Sequence, residues 1–179
     1  MEHLHREIKK CTESIENYQP AHASTYYNRG NSKFHLQDYQ GAIEDYTKAI
    51  EVDPNYGEAY NRRGIVIHSL QYYLEAITDY SKAIEIHPNY ASAYYYRGNV
   101  KRSLQDYRGA IEDYTKAIKL NKHFEEAYKN RGIAKYHLRN YIGFITDYIR
   151  SIDPNHYSAK LEKEQESNNI FNLNRNFRG

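Results

Sequence analysis

The ten residues 41–50, GAIEDYTKAI, recur unchanged at 109–118. A looser form, EAITDYSKAI, lies midway at 75–84, so the phrase returns every 34 residues. A fixed period of this length restricts the chain to architectures in which equal units stack, since one such unit is too small to bury its own apolar face. In register, the copies span 23–56, 57–90, 91–124 and 125–158.

Each copy reads as two helices joined by a turn. The first opens with a tyrosine-bearing stretch closing in Arg-Gly: TYYNRG, AYNRRG, AYYYRG and AYKNRG. A leucine follows six residues after each glycine (Leu36, Leu70, Leu104, Leu138), and then QDY, QYY, QDY or RNY. The second segment places Ile43, Tyr46 and Ile50 at intervals of three and four, the helical spacing. Pro-Asn-Tyr ends the first two copies, where proline stops a helix.

A mean hydropathy of −0.97 leaves little ordinary core material. The 21 tyrosines, with no tryptophan, supply the rest, because a tyrosine buries its ring while its hydroxyl seeks a partner.

The 34-residue period, the aromatic-then-glycine opening and the series Ala42, Tyr46, Ala49 and Pro54 resemble the tetratricopeptide repeat, over about three quarters of the chain. The resemblance implies an all-α, right-handed superhelical solenoid of helix-turn-helix repeats. Gly30, Gly64, Gly98 and Gly132 sit mid-helix, where glycine costs about 1 kcal/mol relative to alanine. Their recurrence predicts a close helix approach, with Ala42, Ala76 and Ala110 as the small surface opposite.

The chain departs from the family pattern before each glycine, where Arg29, Arg63, Arg97 and Arg131 replace the commoner leucine. The second helices carry Asp45, Asp79, Asp113 and Asp147. In an antiparallel hairpin these lie at similar heights, so we expect a structural Arg–Asp ladder, within one hairpin or between neighbours; solvated charges are the alternative. Arg63 and Arg97, being in internal copies, are expected to be the more buried.

The ends differ from the copies. Residues 1–22 form an amphipathic stripe (Leu4, Ile8, Cys11, Ile15, Tyr18) before Pro20, expected to be an N-terminal capping helix. The fourth copy decays: Phe144 and Ser151 replace small residues, and Pro154 arrives two residues early. Residues 159–179 are expected to give a polar closing helix and a frayed tail.

Nothing in the chain gathers into a catalytic constellation. Phosphate loops, nucleophile elbows and cysteine metal spacings are missing, so neither enzyme activity nor a cofactor or metal is expected. Cys11 lies on the apolar stripe and reads as a structural thiol. His3 and His5 have no carboxylate-supported cluster to make a metal site, while His35, His68 and His137 read as groove-facing or surface residues. A formal charge of +2 gives no electrostatic case for nucleic acid or membrane. Without an apolar N-terminal core or a spanning segment, a cytoplasmic protein is expected.

Function then falls to surface. The family resemblance implies a concave groove lined by the first helices and receiving a protein or peptide partner. On this chain it selects Tyr27, Asn28 and Asn31; Asn61, Arg62 and Ile65; Tyr95, Tyr96, Asn99 and Arg102; and Lys129 and Asn130. Amides can read a peptide backbone and tyrosines give rigid contact area. The set that binds chaperone C-terminal carboxylates in one family subclass fits poorly: Asn31 matches, but Tyr27, Arg62, Ser92 and Tyr96 do not. The expectation is a non-enzymatic interaction scaffold; the alternatives are a single-stranded RNA reader or a regulatory subunit of an enzyme complex.

Overall fold

The computed structural model describes residues 1–17 and 22–153. Among them are nine helices and no strand: α1 (Glu2–Asn17), α2 (Ala23–His35), α3 (Tyr39–Val52), α4 (Gly57–Ser69), α5 (Tyr73–Ile86), α6 (Ala91–Ser103), α7 (Tyr107–Leu120), α8 (Glu125–His137) and α9 (Tyr141–Ile152). Tyr18, Pro20 and the expected closing helix and tail lie outside the described residues.

Helices α2 to α9 form four hairpins, and the second helix of each packs on the first helix of the next. The turn is written into each copy. Gln37, Gln71, Gln105 and Arg139 take left-handed φ values of 60–65° and reverse the chain. The residue after each is the N-cap of the second helix. Asp38, Asp106 and Asn140 accept a hydrogen bond from the backbone N–H of Gly41, Gly109 and Gly143, satisfying one of the helix's orphan donors. Tyr72 holds the same place before α5 and makes no such cap.

The core is alanine and tyrosine. Ala42, Tyr46, Ala76, Tyr80, Ala110 and Tyr114 are fully buried. The mid-helix glycines face these tyrosines: a Cβ on Gly30 or Gly98 would stand 2.8 Å from Tyr46 or Tyr114, and one on Gly64 2.9 Å from Tyr80. The expected alanine surface opposite them is therefore corrected to a tyrosine ring. The glycine makes room for the edge of an aromatic side chain, which is what lets so polar a chain form a dense interior. Gly132 has more space, its nearest neighbours being 3.3 Å away, because Phe144 and Tyr148 do not reproduce that packing.

The charged ladder closes within each hairpin. Arg29 Nε and Nη2 donate to Asp45 at 2.9 and 2.6 Å, and the fork repeats from Arg63 to Asp79, Arg97 to Asp113 and Arg131 to Asp147. The remaining Nη1 reaches backward across the repeat boundary, from Arg63 to Thr47, Arg97 to Ser81 and Arg131 to Thr115, at 3.0–3.1 Å. Arg29 finds Thr12 of α1 in that role at 3.2 Å, so α1 covers the first hairpin as the second helix of a preceding repeat would. Each guanidinium also lies over a tyrosine: Tyr26, Tyr60, Tyr94 or Tyr128. The expectation that Arg63 and Arg97 are the most buried is corrected. Arg131 is, with a side chain 10% exposed against 20% and 19%, because the covering Tyr128 is itself buried.

Candidate ligand groove

First helices of successive hairpins approach one another directly, α2 to α4, α4 to α6 and α6 to α8, while the second helices stand farther apart. The array therefore bends with the first helices on the inside, and residues facing inward from them line its concave side.

Buried tyrosines carry hydroxyls toward this side. Tyr46 donates to the amide oxygen of Asn31 at 2.9 Å and Tyr114 to that of Asn99 at 2.8 Å. Burial lifts all three phenols of the series Tyr46, Tyr80 and Tyr114 well above their ordinary ionisation range, Tyr114 to about 12, so they persist as neutral donors. Tyr46 and Tyr114 are core tyrosines whose hydroxyls find the partners expected of them, in groove asparagines that the sequence alone did not pair with them. The signal was the spacing of fifteen from Asn31 to Tyr46 and from Asn99 to Tyr114.

The groove residues selected from sequence divide into two groups. Asn99, Asn130 and Tyr95 are tied together: Asn130 Nδ2 donates to Asn99 at 2.9 Å and to the Tyr95 hydroxyl at 3.1 Å. This network joins the third and fourth repeats. Tyr95 also packs on Phe124, with ring centres 4.7 Å apart, and Ile65 packs into the interior between the second and third repeats. Tyr27 packs on Tyr46 and Tyr56. These side chains serve the joints between repeats.

The second group presents itself along the groove. Asn28 and Lys129 are exposed. Arg62 is half-buried beside Tyr27, Tyr46 and Tyr90. Tyr96 stacks on Tyr80 at 5.9 Å with planes 15° apart, and Arg102 lies beside Tyr114 and His68. Burial, reinforced by the Arg102 charge, pushes the His68 imidazole below its ordinary range. At the far end, Glu125, Glu126, Lys129, Tyr148, Ser151 and Ile152 line a cavity of 280 Å³.

Among the described residues, three buried polar atoms have no protein partner: Asn61 Oδ1, the Tyr80 hydroxyl and Arg102 Nε. All three come from α4, α5 and α6. Asn61 is 3% exposed and uses its amide nitrogen on Tyr90 at 3.3 Å, leaving the oxygen over. Tyr80 lacks a partner because Ile65 stands where Asn31 and Asn99 stand in the neighbouring copies. Buried polar groups are almost always satisfied, by protein, by water or by a bound molecule. None of the described helices is long and apolar enough to cross a membrane.

Comparison with known proteins agrees with this geometry. The tetratricopeptide repeat profile matches residues 23–56 and 91–124, and a second TPR repeat profile matches 66–101, together more than half of the chain. No curated protein sequence matches. Among solved structures, the chain is similar to the crystal structure of MamA, with a TM-score of 0.77 and 25% identity over 86% of this chain and 89% of that one. It is also similar to the first TPR of Spaghetti (RPAP3) bound to the HSP90 peptide SRMEEVD, with a TM-score of 0.64 and 26% identity over 65% of this chain and 93% of that one. A MamA fragment from Desulfovibrio magneticus RS-1 shares the fold at 22% identity, with a TM-score of 0.67 over 80% of this chain and 77% of that one.

Proposed function

The chain belongs to the tetratricopeptide repeat family, and on that premise we propose that it is a non-enzymatic scaffold holding a peptide or partner helix in its concave groove. The observation that carries the reading is that Asn61 Oδ1, the Tyr80 hydroxyl and Arg102 Nε, on successive helices of the second and third repeats, are buried with no protein partner. The RPAP3 relative holds a peptide, which supports a peptide as the class of ligand here.

The ligand centres on Arg62, Tyr96 and Arg102, with the exposed amide of Asn28 and the spare amide oxygen of Asn61 along its path. Buried tyrosine and arginine at the middle of a surface are the usual energetic centre of an interface. Two arginines favour a carboxylate on the ligand, while Glu58 and Glu126 disfavour an unbroken acidic run. This recognition differs from chaperone-tail capture, whose cation positions are Tyr27, Ser92 and Tyr96 here.

The test is selection of peptides from a random library on the full chain, followed by calorimetric affinities for Arg62→Ala and Tyr96→Ala. A loss of roughly tenfold or more in each is expected for hot-spot residues. Unchanged affinity in both variants moves the ligand off the groove. Tight binding of single-stranded RNA with a steep salt dependence replaces the reading with a nucleic-acid one.

A further inference from the structure

The last helix presents an apolar face whose equivalents in the other copies are largely buried or half-buried; Ile142 is an exception, since Gln40, Leu74 and Arg108 at its position are exposed too. Tyr141, Ile142, Ile145, Tyr148, Ile149 and Ile152 of α9 follow one another at helical intervals and fall on one side, about 120° wide. All six are exposed, Ile142 at 81% and Tyr148 at 49%. The tyrosines equivalent to Tyr148 in the preceding copies, Tyr46, Tyr80 and Tyr114, are 0% exposed under the following repeat. Tyr136 of α8 continues the patch, at 53%. A contiguous apolar surface of this kind marks an interaction site in a soluble protein.

We propose that this face is a two-fold contact with a second copy of the chain, α9 against α9. One observation favours a second copy as the occupant.

The charges around the face are arranged to match their own image. Exposed Glu125 and Glu126 flank the C-terminal end of α9, with Lys129 beside them, and exposed Arg139 stands at its N-terminal end. A two-fold axis near Ile145 runs the helices antiparallel and lays the acidic pair of each copy over Arg139 of the other. The face between contains no charged side chain. Such self-complementarity is what an isologous interface requires. The contact lies apart from Arg62 and Tyr96 and borders the far end of the groove at Glu126 and Lys129.

The experiment is sedimentation velocity of the full chain across the micromolar range under reducing conditions. A concentration-dependent dimer is expected, reduced to monomer by Ile145→Asp with an unchanged circular dichroism spectrum. Arg139→Glu should weaken the dimer by roughly tenfold, and adding Glu125→Arg and Glu126→Arg in the same chain should restore it. A wild-type monomer at every concentration overturns the proposal and leaves the face to residues 154–179 or to a different protein. A dimer that survives Ile145→Asp, or a charge swap without rescue, also overturns it.

Discussion

The hydroxyl of Tyr114 donates to the amide oxygen of Asn99 at 2.8 Å, and the same bond joins Tyr46 to Asn31. In the second repeat Ile65 replaces the asparagine, and the Tyr80 hydroxyl is buried with no partner. Removing an unpaired buried hydroxyl releases its desolvation cost, while removing a paired one strands its acceptor. Tyr80→Phe should therefore stabilise the free protein by about 1 kcal/mol, and Tyr46→Phe should destabilise it by a similar amount. Urea denaturation of the two variants checks the sign. If the groove ligand supplies the missing partner to Tyr80, the gain in Tyr80→Phe comes with weaker ligand binding.

Periodicity reports what every copy of a repeat shares. The 34-residue recurrence carries the helix pairs, and Arg29 with Asp45, sixteen residues apart across a turn, carries the ladder. Whether Arg29 meets Asp45 or a neighbour's aspartate was left open, because both arrangements put the same residues at the same height. The backward reach to Thr47, Ser81 and Thr115 depends on how repeats stack, which no single copy encodes. The groove amides were found by position, but Asn99 and Asn130 spend their hydrogen bonds on each other. That pairing belongs to the joint between two copies and leaves no trace in either alone.

Helix capping gives a second prediction. Asp38, Asp106 and Asn140 cap their helices, whereas Tyr72, 60% exposed, does not cap α5. Tyr72→Asp places a carboxylate where Asp38 and Asp106 have one, beside the N-terminal end of the helix dipole. A cap contributes about 1 kcal/mol, and little packing is lost from so exposed a ring. The thermal midpoint should rise in Tyr72→Asp and fall in Asp106→Ala.

His68 gives a pH dependence. Burial and then Arg102 hold its imidazole below the ordinary value of 6.5, so the folded chain binds the proton less well than the unfolded chain. Its contribution is complete above 6.5 and is lost as pH falls from 6.5 toward the folded value, below which the loss is constant. Comparing the wild type with His68→Gln by denaturation across that window isolates the effect. The two should differ in slope only there, with the wild type losing stability faster on acidification.

The ladder itself yields the sharpest contrast. Asp113 accepts from Arg97 and is also 2.8 Å from Lys101, as Asp45 is near Lys33 and Asp147 near Lys135. Asp79 has Arg63 alone, since Ile67 occupies the lysine position in the second repeat. Replacing Arg97 with leucine leaves Asp113 a cation. The same change at Arg63 leaves a carboxylate that is 4% exposed facing an isoleucine. Breaking a buried pair from one side costs about 3–5 kcal/mol, most of it the stranded charge. Arg63→Leu should therefore approach that range and Arg97→Leu fall well short of it. Adding Ile67→Lys to Arg63→Leu should recover much of the difference in a denaturant titration, because it rebuilds for Asp79 the second cation that the other three aspartates already have.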